Sequence, residues 1–76
     1  MFHTIQFRLR GIAELENPGR SHVAQLAIKP GTQLSAQIRP YVVETGRGPV
    51  EVADLFLEDG SIARAVRMAT FRFIDE

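Results

Sequence analysis

The side chains able to do chemistry in this chain are few and scattered. Its serines are Ser21, Ser35 and Ser61, and its histidines are His3 and His22. A nucleophilic triad needs one of these serines, one of these histidines and a carboxylate such as Asp54. None of the serines sits in the Gly-x-Ser-x-Gly turn that exposes a nucleophile above a sheet. Gly46-Arg47-Gly48 lacks both the lysine and the length of a phosphate-binding loop. His3 and His22 hold a metal together with carboxylates only if folding brings them to one place, and their spacing gives no support for that. There is no cysteine, which excludes thiolate metal sites, iron–sulfur clusters, cysteine catalysis and a disulfide-stapled secreted scaffold. The expectation is a non-catalytic protein with no cofactor and no metal.

Arginine is the other distinctive residue. It supplies eight of the nine cations, Arg8, Arg10, Arg20, Arg39, Arg47, Arg64, Arg67 and Arg72, and Lys29 is the ninth. Its planar fork pairs carboxylates and phosphates in a bidentate way. The same bias also follows from a GC-rich genome. Arg8, Arg10 and Arg72 interleave with Phe7, Phe71 and Phe73, which is the composition of a nucleic-acid surface. In a strand, however, successive side chains point to opposite faces. The phenylalanines are then expected in the core, with the arginines together outside as the candidate site for an anionic ligand. Nine cations balance nine anions, which disfavours a general binder of nucleic acid or of a membrane surface.

The balance is a cancellation. Residues 1–40 hold Arg8, Arg10, Arg20, Lys29 and Arg39 against Glu14 and Glu16, a net +3. Residues 41–76 hold Arg47, Arg64, Arg67 and Arg72 against Glu44, Glu51, Asp54, Glu58, Asp59, Asp75 and Glu76, a net −3. Either the halves pair within the fold, with Arg64 and Arg67 facing acids across a hairpin, or a two-signed surface docks on a partner.

The elements that position these groups read as short strands. A chain of 76 residues makes one domain, residues 1–76, and a single core of this size rarely supplies more than about 3–5 kcal/mol. Self-association or docking on a partner is therefore a natural expectation. No stretch approaches the roughly 20 apolar residues of a membrane helix, and Met1-Phe2-His3-Thr4-Ile5 is not a leader pattern. A cytoplasmic location, with no membrane, is expected. Residues 3–9 alternate as a half-buried strand. Residues 12–17 read as one short helix stopped by Asn17-Pro18-Gly19, or as a loop. Residues 21–29 favour a strand over a helix capped by Ser21. Residues 32–45 form the longest strand, with Pro40 marking an edge, a bulge or a bend. Residues 50–58 form another, whose parity slip implies a bulge near Ala53-Asp54.

Asp59-Gly60 favours a type I′ hairpin. That turn sets Leu57 opposite Ile62, Leu55 opposite Arg64 and Ala53 opposite Val66, although residues 62–68 have helical propensity too. Residues 70–74 close the chain as a strand, so β pattern at both ends is expected of a complete unit. The fold class expected is mainly β: a five- or six-stranded antiparallel barrel or rolled sheet, SH3-like or OB-like in size.

If Ile38, Val42, Leu55 and Leu57 fill the core, Tyr41, Val43 and Phe56 face outward. They are then the candidate interface residues, unless residues 12–28 cover them as a second core layer. The function expected is a protein-interaction or subunit module, with a homo-oligomer through this face or an edge strand as one form of it. The alternative is a small arginine-lined β-barrel associated with nucleic acid.

Overall fold

A computed structural model describes residues 1–17, 19 and 23–75, with residue 23 as backbone. Seven strands form in chain order: β1 (His3–Phe7), β2 (Gly11–Glu16), β3 (Val23–Ile28), β4 (Gln33–Thr45), β5 (Gly48–Leu57), β6 (Ile62–Arg67) and β7 (Phe71–Phe73). One 3-10 turn, Met68–Thr70, joins the last two. They make a single antiparallel sheet in the order β3-β2-β6-β5-β4-β1-β7, curled into a half-barrel. The β-rich small barrel read from the sequence is therefore correct in class, with one strand more than expected. No helix among the described residues is long and apolar enough to cross a membrane.

The additional strand is β2. Residues 12–17 read as one short helix or a loop, Ala, Glu and Leu being good helix formers. Instead Ile12–Glu16 are extended, paired to β3 throughout and to β6 over Glu14–Glu16. Two ladders outweigh a weak local preference. The strand reading of residues 21–29 holds for Val23–Ile28, and residues 20–22 lie outside the described residues.

Alternation sorts the side chains onto two faces. The inner face carries the core: Ile5 and Phe7, Ala36, Ala53 and Leu55, Ala63 and Val66, and Phe71, with Ala13 and Ile28 at the other side. Leu34, Ile38 and Leu57 pack against it. Phe7, Phe71 and Phe73 continue along the β1–β7 edge as edge-to-face pairs with centroids 5.7 and 6.1 Å apart. Phe73, expected in the core, is 46% exposed because β7 is the last strand of an unclosed barrel. Val42, also expected inside, is 58% exposed. It lies beyond Ala36, the last residue of β4 that pairs with β1, so no inner surface reaches it.

The β5–β6 hairpin corrects the expected turn. Leu57 N–H donates to the Ser61 carbonyl and Gly60 N–H to the Leu57 carbonyl. Gly60 alone in this turn has positive φ, at 90°. That is a three-residue loop closed by a left-handed glycine, not a type I′ pair, which needs positive φ at both central residues. Asp59 fixes the turn by accepting from the Ser61 N–H at 2.9 Å and from the Ser61 hydroxyl. The partners move by one: Ile62 faces Phe56 and Ala63 faces Leu55. Ala53 faces Val66 as expected, because a bulge follows.

That bulge lies beside Ala53 and Leu55, but not within β5 as the parity slip implied. β5 keeps an unbroken register with β4, and Val50 and Val52 remain on the face opposite Leu55 and Leu57. The extra residue of the bulge is on β6, where Arg64 and Ala65 together oppose Asp54. Ala65 adopts φ 51°, a left-handed conformation costing a residue with a Cβ roughly 1–2 kcal/mol. Asp54 holds it there by accepting the Ala65 N–H at 3.0 Å. Because Ala65 is exposed, Ala65→Gly leaves no cavity. It is expected to stabilise the protein by about 1 kcal/mol in urea unfolding. An unchanged or lowered midpoint would show that Ala65 is not strained.

Candidate functional site

The outer face of β4, β5 and β6 holds the one buried charged side chain among the described residues. Asp54 is 6% exposed. Its Oδ1 accepts the Tyr41 hydroxyl at 2.8 Å and the Ala65 N–H, and its Oδ2 accepts Arg64 Nη1 at 2.9 Å. Arg64 Nε also donates to Glu16 Oε2 at 2.6 Å. The chain Tyr41–Asp54–Arg64–Glu16 thus ties four strands together across the sheet. Burial alone would raise the Asp54 carboxyl pKa, but donation by Ala65, Tyr41 and Arg64 and the nearby guanidinium bring it below its ordinary 3.8. Donation to Asp54, followed by desolvation and the carboxylate's charge, raises the Tyr41 phenol above 10.0. Bonds to Glu16 and Asp54 raise the Arg64 pKa further.

Arg64 faces the acid Asp54 across the hairpin as expected, but among the described residues no arginine or lysine of the first half pairs with an acid of the second. The one Arg pair between the halves, Glu16–Arg64, has the opposite signs. The first half contributes an acid, Glu16, and the second half the base. Arg67 does not face an acid, since its cross-strand neighbour is Val52. His3, half-buried as expected, stands edge-on to Phe73 at 5.4 Å, with Nδ1 3.5 Å from Asp75. Among the described residues no serine or histidine joins Asp54, and no three His, Asp or Glu side chains gather at a metal-binding distance. His22 and Ser21 lie outside the described residues. The chemistry this arrangement supports is structural hydrogen bonding.

Tyr41, Val43 and Phe56 share the outer face with Asp54, because Tyr41 pairs with Val52, Val43 with Val50 and Phe56 with Gln37. Residues 12–16 and 23–28 do not cover them, being two further strands of the same sheet. Tyr41 is 37% exposed, while Val43 and Phe56 are half-buried. Arg8, Arg10 and Arg72 are all exposed, but two are engaged. Arg8 Nη2 donates to the Ala69 carbonyl at 2.7 Å, and Arg72 Nη2 to Gln6 Oε1 at 2.8 Å.

No protein family, curated protein or solved structure matches the chain.

The sheet's open edges discriminate best among its surfaces. Natural sheets blunt an edge with charge, proline or brevity. β7 is three residues long and carries Arg72 at its centre. The free side of β4, residues 37–45, carries Arg39, Pro40 and Glu44, so Pro40 does mark an edge. β3 has none of these devices. It is six residues long, reads VAQLAI, and pairs only with β2 among the described residues.

Proposed function

We propose that the protein is a non-catalytic interaction module that self-associates by pairing β3 with β3 of a second copy. The observation that carries this reading is the unblunted β3 edge. An unpaired ladder of this kind is a template for another strand. An antiparallel β3–β3 pair is isologous, so each residue meets its counterpart across a two-fold axis. β3 has no charged side chain, so that symmetry creates no like-charge repulsion. Pairing also relieves the difficulty of a 76-residue chain with a half-closed barrel, whose single core supplies little stability. Tyr41, Val43 and Phe56 are a less favoured docking face, because the Tyr41 hydroxyl is already bonded to Asp54. A nucleic-acid role for Arg8, Arg10 and Arg72 has less support still, with two of the three guanidiniums bonded internally and zero net charge.

Ala27 is exposed on this strand, and lysine is a common edge blocker. Ala27→Lys is therefore expected to leave the thermal midpoint of the dilute monomer unchanged and to weaken dimerisation at least about tenfold. Sedimentation velocity from micromolar to millimolar protein checks this. A wild-type chain that is monomeric throughout, or a variant that dimerises equally well, refutes the proposal.

A further inference from the structure

β2 and β6 are neighbours, but they pair only over Glu14–Glu16. Toward the other end the two strands separate. Gly11, Ile12 and Ala13 form one wall and Ala65, Val66 and Arg67 the other, with a cleft of about 410 Å³ between them. The β6 bulge at Ala65 carries that strand away from β2, and Gly11, Ala13 and Ala65 are too small to fill the gap. Phe7, Ile28 and Val66, all buried, lie at its apolar base. Leu9 and Ile12 stand at the mouth, 55% and 70% exposed. This exposed apolar surface is costly in an unliganded protein.

The polar side chains at the cleft are chiefly cationic. Arg10 and Arg67 line it. Neither guanidinium has a carboxylate or hydrogen-bond partner among the described residues, as is also true of Arg39 and Arg47 away from the cleft, whereas Arg8, Arg64 and Arg72 are engaged. No acidic side chain lines the cleft. An apolar base under two free guanidiniums is complementary to a ligand with an apolar body and an anionic end. Small-molecule sites run from about 300 to 1,000 Å³, so the space takes one small ligand.

We propose that the split between β2 and β6 binds one small amphipathic anion, a carboxylate or phosphate group on a single short apolar chain. Arg10 and Arg67 hold the anionic end, and the chain lies over Phe7, Ile28 and Val66. Its anion-holding residues, Arg10 and Arg67, lie outside β3, which contributes only Ile28 to the base.

Titration of the full-length protein with decanoate, followed by amide NMR shifts, tests it. Saturable shifts centred on Ile12, Val66 and Arg67 are expected, with a dissociation constant below about 1 mM. Arg10→Gln and Arg67→Gln alter exposed, unpartnered side chains, so the fold should persist, as an unchanged amide spectrum verifies. Each is expected to weaken decanoate about tenfold, the size of one lost charge-assisted bond, and decanol should bind the wild type at least tenfold more weakly. Sedimentation with anionic phosphatidylglycerol vesicles separates the two sources of such an anion. Protein left in the supernatant identifies a free ligand, and binding abolished by the arginine variants identifies a lipid headgroup. No saturable shift below the micelle concentration, equal affinity for decanol, undiminished affinity of both variants, or shifts centred elsewhere would each overturn the proposal.

Discussion

Asp54→Ala is expected to leave the protein only marginally folded at 25 °C and neutral pH. Removing the carboxylate strips three donors of their acceptor at once: the Tyr41 hydroxyl, the Ala65 amide and one arm of Arg64. A fully buried ion pair broken on one side costs about 3–5 kcal/mol. The Arg64 side chain is 40% exposed and can turn to water, so about 2–3 kcal/mol is the better expectation here. Against a total of roughly 3–5 kcal/mol for a core of this size, that leaves little. Asp54→Asn keeps an acceptor for Ala65 and should fall between the two. Urea unfolding at pH 7 ranks the three proteins. Equal midpoints would show that the buried aspartate is not a structural tie. The outer Glu16–Arg64 pair, 40% exposed on both sides, contributes little by comparison.

The same group sets an acid limit. Its native pKa lies below its ordinary 3.8, so between those values the unfolded chain binds more protons than the folded one. The Asp54 contribution is therefore complete above the ordinary value and is lost as pH falls through the native value. Tyr41 sets the alkaline counterpart. With its native pKa above 10.0, its contribution is complete below 10.0 and is lost as pH rises through the raised value. Asp54→Asn should flatten the acid limb and reduce the alkaline one as well, since donation to the Asp54 carboxylate and its charge raise the Tyr41 phenol. An acid limb as steep in Asp54→Asn as in the wild type would assign it to other carboxylates.

Leu55→Ala is expected to be as damaging, by a different route. Leu55 is fully buried, faces Ile38 and Ala63 on the strands to either side, and lies in the central strand β5. Truncation removes its transfer free energy and leaves a cavity, at about 2–5 kcal/mol. Much of the surrounding core is alanine, at positions 13, 36, 53 and 63, and a methyl group cannot swing into the space. Leu55→Met, close in volume, should cost less than about 1.5 kcal/mol. Circular dichroism on heating separates them: a Leu55→Ala protein that melts with the wild type would contradict this core.

The legible parts of the fold were those whose alternation was clean. Ile5 and Phe7 inside, Thr4 and Gln6 outside, and the long Gln33–Thr45 strand follow directly from period two. β2 was obscured because its inner residues are Ala13 and Leu15 while a bulky Ile12 points out. That blurs the alternation and leaves helix-forming side chains as the dominant signal. The Asp59-Gly60 turn was visible but its length was not. A side-chain bond from Asp59 to Ser61 selects the longer loop, and local sequence does not rank that bond against a type I′ turn. Tyr41 on the outer face was legible from parity. Its bond to Asp54 was not, since the pair is diagonal across a register fixed by the β4–β5 turn at the far end of the hairpin. The β3 edge and the β2–β6 split were invisible for a shared reason. Both depend on strand order and on where pairing stops, and neither is encoded in any local run of residues.

Self-pairing of β3 is tested most directly by hydrogen exchange of its own amides. At millimolar protein, alternate amides within Ala24–Ile28, those turned away from β2, are predicted to be protected, and to lose that protection on dilution and in Ala27→Lys. Outward amides that exchange freely at every concentration, while those facing β2 stay protected, would contradict it.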